Sequence, residues 1–188
     1  MMKKTFLIIS MLVVCSMAGT MKDSRDGKTY KTVKIGNQTW MAENLNYKTS
    51  DSYCYNNNED MCKKYGRLYK WNAAKSACPS GWHLPSNDEW NTLWTAVGGT
   101  SAAGTKLKSK NGWHSNGNGT DSFGFAVLPA GNRKSNGNFY NGGYNAYFWS
   151  SSELNSLAYN WYFSYFYGNV DRSSRNKFGG FSVRCLRN

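Results

Sequence analysis

"ACPSGWHLPSNDEWNTLW", residues 77–94, places a cysteine, two prolines and a histidine immediately before a helical pattern. Ser86 and Glu89 have the spacing of a capping box, in which each side chain bonds a free backbone amide of the first turn. Gly98 and Gly99 predict where that helix ends. The apolar residues between recur at i, i+3, i+4 and i+7, and so form one stripe on the helix: Trp90, Leu93, Trp94 and Val97.

A second helix is predicted upstream, where apolar residues again recur at helical spacing: Leu68, Trp71, Ala74 and Ala77. Pro79 and Pro85 bracket a rigid connector between the two helices. His83 stands in that connector with no acid or second histidine nearby, so we interpret it as structural. Glu89 could act as a general acid, but its capping role accounts for it fully.

Residues 1–18 have the pattern of a bacterial secretory signal peptide. Two lysines precede an apolar run from Phe6 to Val14, and small residues follow it. This run is too short for a transmembrane span. We predict cleavage after Ala18.

The rest of the chain is predicted to be a short spacer at 19–24 and one domain at 25–188. An alternative to simple cleavage is a lipoprotein signal at Leu12–Cys15, with a lipid anchor on Cys15. Both readings indicate an exported protein, secreted or on the outer cell surface, with the periplasm and a lipoprotein form as alternatives.

Removing the signal leaves four cysteines, and an even number in an exported chain indicates disulfides. Three pairings are possible. We favour the sequential one, in which Cys54–Cys62 closes a local excursion and Cys78–Cys185 ties the last strand to the middle of the chain. No pair has the C-x-x-C spacing typical of zinc sites.

The formal net charge of +12 is compatible with acidic polysaccharide, lipid headgroups or nucleic acid as partners. The basic residues are scattered, however, and "KLKSK" at 106–110 is their only dense cluster. We interpret most of the charge as a solvated surface, and export excludes intracellular nucleic acid.

The order of the predicted elements is typical of an α+β domain. "DGKTYKTVKIGNQTWMAENL" predicts a hairpin that turns at Gly36-Asn37, and "YCYNNNEDMC" predicts a polar loop. Asn-Gly steps dominate after residue 111 and indicate tight turns between short strands. Those strands are predicted at 123–128, 144–150, 159–167 and 181–186.

Motifs for catalysis or metal binding are weak. "NGNGTD" at 116–121 has oxygen side chains at alternate positions like a calcium loop, but only one of them is a carboxylate. The sequence has no G-x-S-x-G, H-E-x-x-H or P-loop motif. We therefore expect no metal and no cofactor.

The strongest functional signal is the composition of residues 136–178, where seven Tyr, seven Ser, eight Asn and four Gly occur among forty-three residues. Binding loops of antibodies use the same residues, because Tyr offers a large contact area at low entropic cost and the small polar residues adapt their hydrogen bonds. The alternatives are that a second layer covers the strand face formed by these residues, or that β-propensity alone accounts for the aromatic residues. The candidate contact residues are Tyr144, Tyr147, Asn160, Tyr162, Ser164, Phe166, Asn169, Arg172 and Arg175.

Alternation within 159–167 assigns these residues to two faces. Tyr159, Trp161, Phe163 and Tyr165 would face the core, and Asn160, Tyr162, Ser164 and Phe166 would face solvent. A following loop would add Asn169, Arg172 and Arg175, and its two arginines could hold an acidic group.

Several blocks of the chain resemble the Fibrobacter succinogenes major paralogous (FISUMP) domain family. They are "DGKTYKTVKIGNQTWMAENLNY", "CKKYGRLYKWNAAKSACPSGWHLPSNDEW", "DSFGFAVLPAGNR", "FWSSSE" and "GFSVRCLRN". The resemblance implies exported or surface proteins related in fold to C-type lectins and to formylglycine-generating enzymes. It therefore implies a disulfide-stapled, C-type-lectin-like α+β domain with an N-terminal hairpin, two helices and a turn-rich antiparallel β half.

The resemblance does not carry an activity with it. The related oxidising enzymes use a cysteine pair before the last strand, and residues 161–178 contain no cysteine. The calcium-binding tripeptides of sugar-binding lectins are missing as well. We expect a secreted or cell-surface binding or adhesion module for carbohydrate or another cell-envelope or surface-protein ligand. The alternative is an enzyme or enzyme accessory with an unrecognised site.

Overall fold

The computed structural model describes residues 17–188. Residues 1–16 of the predicted signal peptide, including Cys15, lie outside the described residues. Met17–Lys22 forms strand β1, which pairs in antiparallel register with β2 (Thr29–Ile35). Residues 19–22 of the predicted spacer therefore belong to a sheet. Within 17–188, no helix is long and apolar enough to cross a membrane.

The predicted N-terminal hairpin is confirmed by β2 and β3 (Gln38–Met41), which pair across a turn at Gly36. The positive φ of 59° at Gly36 is one that glycine adopts without steric cost. The C-terminal strand β13 (Leu186–Arg187) pairs with β3 and with β6 (Trp82–His83). The first sheet thus has the order β1-β2-β3-β13-β6 and joins both ends of the domain.

The second sheet has eight strands. They are β4 (Ser52–Tyr53), β5 (Leu68–Lys70), β7 (Ala130–Arg133), β8 (Phe139–Gly142), β9 (Asn145–Leu154), β10 (Leu157–Ser164), β11 (Val170–Asn176) and β12 (Gly180–Phe181). Their order is β11-β10-β9-β7-β12-β5-β4, with β8 beside β7. The pairing is antiparallel except between β7 and β9.

Four α-helices lie within the described residues, where two were predicted. They are α1 (Glu59–Tyr65), α2 (Trp71–Ala77), α3 (Asn87–Ala96) and α4 (Thr100–Leu107). The mixed helix-and-strand class is confirmed. The capping box of α3 is also confirmed, because Ser86 and Glu89 each accept a bond from the other's backbone amide. Helix α2 begins at Trp71 instead of Leu68, because Leu68 belongs to β5.

The two unexpected helices have local causes. Helix α1 lies in the segment predicted as a polar loop, where the Asn58 side chain caps its first turn by accepting a bond from the amide of Asp60. Helix α4 follows directly on Gly99. A Cβ at Gly104 would come within 2.5 Å of the carbonyl oxygen of Gly168, so this glycine lets α4 pack closely against the segment before β11.

Two strand predictions and one loop prediction are corrected. Residues 123–128 form an irregular loop in which the Asp121 carboxylate accepts a bond from the Ala126 amide. Residues 181–186 do not form one strand, because Phe181 ends β12 and Leu186 begins β13, and these two strands lie in different sheets. The segment predicted as a loop after residue 167 contains strand β11, so its polar side chains lie on a sheet.

Both predicted disulfides are confirmed. Cys54–Cys62 staples the start of α1 across eight residues, and Cys78–Cys185 joins the end of α2 to the chain just before β13 across 107 residues. His83 has an acid neighbour that the sequence did not indicate. Its Nε2 lies 2.7 Å from Glu89 Oε1, and its Nδ1 lies 2.6 Å from Asn188 Oδ1.

Strands β9 and β10 separate two hydrophobic clusters. On the side of α3, Phe148 and Phe163 pack with the stacked rings of Trp90 and Trp94. On the other side, Trp149 packs with Phe181 and with residues of β5 and α2. Successive residues of a strand point to opposite faces, so Phe148 and Trp149 belong to different clusters.

Arg184 is fully buried, and its guanidinium lies near Phe125 and Phe148 of the first cluster. Its guanidinium donates to the Oδ1 of Asn44 and to the carbonyl oxygens of Met41, Phe125 and Ala126. Burial lowers the pKa of Arg184 to about 9, so the side chain is still charged at neutral pH. One cation thereby holds the end of the first hairpin, the irregular loop and the C-terminal segment together.

We expect the Cys78→Ser/Cys185→Ser variant to lose about 5 kcal/mol of unfolding free energy and the Cys54→Ser/Cys62→Ser variant about 2.5 kcal/mol. The longer disulfide restricts the unfolded chain more, because it closes the larger loop. Urea denaturation of both double variants checks this, and equal losses would contradict it.

We expect Arg184→Lys to lose about 3 kcal/mol, because an ammonium cannot bond all the acceptors that the planar guanidinium reaches. Arg187→Lys is the matched control, since Arg187 is exposed on β13. Denaturation midpoints measure both. An Arg184→Lys variant as stable as the control would show that these bonds do not hold the fold.

Candidate binding cleft

Three aromatic rings form a stacked row on the second sheet. Tyr147 of β9 lies between Tyr162 of β10 and Phe181 of β12, with centroid distances of 5.9 and 5.2 Å and interplanar angles of 26° and 22°. Tyr147 and Tyr162 are direct cross-strand partners. Trp149 packs against Phe181 at 4.2 Å and fixes the inner end of the row. Sheet register thus determines the ring positions.

The hydroxyl of Tyr147 is oriented by its neighbours so that it can donate a hydrogen bond. It accepts hydrogen bonds from the side-chain amides of Asn141 at 3.1 Å and Asn145 at 2.9 Å. A phenolic oxygen has two acceptor positions and one proton, so these bonds leave the proton for a further acceptor. The amide of Asn141 also contacts Asn132 Oδ1 at 3.3 Å, which ties the β7–β8 hairpin to this hydroxyl.

A cleft of about 380 Å³ opens above Tyr147 and Phe181. This volume lies within the range of small-ligand sites. One wall is the β7–β8 hairpin, and the other is the end of β11 with the turn that follows it. The lining residues are Asn132, Arg133, Lys134, Ser135, Asn141, Tyr147, Arg175, Asn176, Gly179 and Phe181.

A family model described as the Fibrobacter succinogenes major domain matches residues 33–187, a range that includes the stacked row and the whole cleft. The chain belongs to this family. Membership in the Fibrobacter succinogenes major domain family confirms the resemblance drawn from the sequence blocks. No curated protein and no solved structure matches the chain.

In this member of the family, four predicted contact residues lie on the strand face of the stacked row. Tyr147 and Arg175 line the cleft, while Tyr162 and Ser164 continue the face along β10. Asn169 lies at its edge, where its amide donates to the Asp171 carboxylate at 2.8 Å. Burial, with the neighbouring Asp171 carboxylate, raises the pKa of Tyr162, so this phenol also keeps its proton at neutral pH.

Arg172 does not lie with Arg175. On β11 it is the cross-strand partner of Trp161, and its guanidinium carbon lies 5.0 Å from the centroid of Tyr159. Because β11 is a strand, residues three apart point to opposite faces. The expectation that the two arginines hold one acidic group is therefore wrong.

Asn160 lies on the cleft side of β10, beside Trp149 and Ser173, but is 0% exposed. It was predicted to face solvent. The inner part of this face is covered by the second hydrophobic cluster, so Asn160 cannot contact a ligand from solvent. Within 17–188, neither its Nδ2 nor its Oδ1 has a hydrogen-bond partner.

Tyr144 and Phe166 belong to a separate end patch, at the end of the sheet where β9 begins and β10 ends. Tyr144 packs on His114 at 4.2 Å and on Tyr165 at 5.4 Å. Phe166 is 71% exposed and contacts the ring of Tyr167 at 5.0 Å. The predicted contact residues therefore lie on two surfaces.

Sequence reasoning missed the residues that complete the cleft. Phe181 was assigned to a strand without a role, and Asn132 and Arg133 lay outside the compositional segment. These three residues lie beside Tyr147 in the cleft only because strands that are distant in the chain pair with one another. The run "AGNR" at 130–133 offered no periodic signal that could have identified them.

We expect Asn160→Leu to raise the free energy of unfolding by about 1 to 3 kcal/mol, because a buried amide without partners is replaced by an apolar side chain of similar size. Asn160→Asp should lower it, since a carboxylate there has no partner either. Chemical denaturation of both variants measures the change. A loss of stability in Asn160→Leu would contradict the absence of a partner.

Proposed function

We propose that this protein is an exported binding module that holds a glycan in the cleft beside the stacked row. The observation that carries the proposal is the row itself, in which Tyr162 extends a partly exposed ring beside the Tyr147 hydroxyl. The face of Tyr162 that does not stack on Tyr147 presents a flat apolar surface that suits the C–H face of a sugar ring. The Tyr147 proton and the amides beside it suit sugar hydroxyls, which both donate and accept.

Preorganisation supports a binding role. Phe181 is fixed by Trp149, and the Tyr147 hydroxyl is held by Asn141 and Asn145. Side chains that are already ordered lose little entropy when a ligand binds, so more of the contact energy appears as affinity. A sugar would thus meet a surface that needs no rearrangement.

We also propose that the protein lies outside the cytoplasm and that its fold is C-type-lectin-like. Two disulfides in one domain suit an oxidising compartment. A C-type-lectin-like fold is supported by the first sheet, which pairs the C-terminal strand β13 with β3 and joins both ends of the domain.

We expect Tyr162→Ala to weaken glycan binding by about 2 kcal/mol, roughly thirtyfold, because it removes the exposed aromatic ring that extends the stacked row beside the cleft. Tyr147→Phe should weaken it by about 1 kcal/mol, because only the hydroxyl is lost. A glycan array selects the ligand, and isothermal titration calorimetry gives the affinities.

Tyr167→Ala is the matched control, because it removes an exposed tyrosine from the end patch instead of from the stacked row. It should leave affinity unchanged. Thermal melting of all three variants separates loss of contact from loss of fold. If Tyr167→Ala abolishes binding while Tyr162→Ala does not, the ligand sits on the end patch and the cleft proposal fails.

A further inference from the structure

The cleft carries an excess of positive charge. Its lining includes the basic residues Arg133, Lys134 and Arg175 and contains no Asp or Glu. Within 17–188, none of these three cations forms a salt bridge with a carboxylate. Their charges are therefore available to a ligand in the cleft.

Two of these side chains are held in place by neutral neighbours. The guanidinium of Arg133 lies over the ring of Tyr53, 4.0 Å from its centroid, and its Nε is buried without a hydrogen-bond partner in the described residues. Arg175 Nη1 donates to Ser173 Oγ at 2.7 Å and to the Ser174 carbonyl oxygen at 3.0 Å. These contacts orient the guanidinium groups without neutralising them.

The carboxylates near this region are already bonded elsewhere. Asp51, close to Arg133, pairs with Lys70 at 2.7 Å, and the hydrogen bond from Lys70 holds the pKa of Asp51 below its usual value. Asp171, beside Tyr162, accepts from the Asn169 amide. The cleft thus has fixed cations on its rim, hydrogen-bond donors within it and an aromatic floor.

We infer that the cleft selects a glycan whose sugar rings carry a carboxylate, that is, a polyuronate. This inference rests on the proposed glycan-binding function. A guanidinium binds a carboxylate through two parallel charge-assisted hydrogen bonds, and a neutral sugar cannot use that capacity. The uronate ring lies beside the Tyr147 hydroxyl while its carboxylate meets Arg175 on one wall, with Arg133 and Lys134 on the other.

The general basicity of the protein is a competing cause of polyanion binding, because the net charge is +12. The chain offers a matched control for it. Arg175→Gln and Arg172→Gln each remove one exposed guanidinium from β11 and change the net charge equally. Only Arg175 lines the cleft, since Arg172 points to the opposite face of the strand.

The test uses the full domain and three trisaccharide probes in isothermal titration calorimetry. A galacturonic acid trisaccharide carries the carboxylates, and its methyl ester keeps the same sugar without the charge. A galactose trisaccharide with sulfate esters carries anionic groups of a different geometry. We expect the galacturonate probe to bind at least about tenfold more tightly than its ester.

Arg175→Gln should abolish this preference, and Arg172→Gln should change affinity by less than about twofold, as expected for a screened charge on another face. Equal losses in the two variants would show binding through net charge and would overturn the inference. Tighter binding of the sulfated probe would overturn the assignment to uronates.

Failure of the inference is distinguishable from failure of the proposed function. If the ester and the acid bind equally and Tyr162→Ala weakens both, the cleft binds neutral glycans and only the inference fails. If Tyr162→Ala affects neither probe, the stacked row is not the binding surface and both proposals fail. Thermal melting of every variant confirms that the domain is folded.

Discussion

The buried guanidinium of Arg184 is the constraint on which the rest of the structure depends. A charge inside a protein is tolerated only when its hydrogen-bonding capacity is filled, and here the acceptors come from two separate segments of the chain while the cation comes from a third. The hairpin, the irregular loop and the C-terminal segment must therefore assemble together. The guanidinium also lies 4.7 Å from the centroid of Phe125 and 5.6 Å from that of Phe148, which couples it to strand β9.

Because side chains alternate along strand β9, the packing of the core determines which residues face the cleft. Phe148 packs inside, so its neighbour Tyr147 must point to the opposite face. Pairing of β9 with β10 then places Tyr162 opposite Tyr147, while a register shift between Ala158 and Asn160 changes the pairing beyond them. A slip of one residue would exchange the faces and bury the tyrosines where phenylalanines now pack. The cleft is thus a consequence of how the core is packed.

Local signals in the sequence were sufficient for elements that depend on neighbouring residues. The capping box of Ser86 predicted α3, and the Gly36 turn predicted the first hairpin. Cysteine order, together with the expectation of export, predicted both disulfides. Strand β11 was missed because its polar residues resemble a loop, and they form a strand only because β10 offers them an edge to pair with. Asn160 was placed on the correct face, but its burial depends on Trp149 and the layer that covers it. The role of Phe181 likewise depends on pairing across the whole chain.

The two aromatic surfaces differ in how their rings are held, and that difference favours the cleft as the binding site. The end patch rests on backbone carbonyls of Ser164 and Tyr167, which the buried ammonium of Lys108 bonds at 3.0 Å each. Burial lowers the pKa of Lys108, and its ammonium also lies 5.1 Å from the centroid of the Trp113 ring. The Lys108 ammonium fixes the backbone at Ser164 and Tyr167 but not the aromatic rings of the end patch, and Phe166 is largely exposed to solvent. In the cleft the rings are fixed by one another and by amides, so the entropic cost of binding is already met by folding.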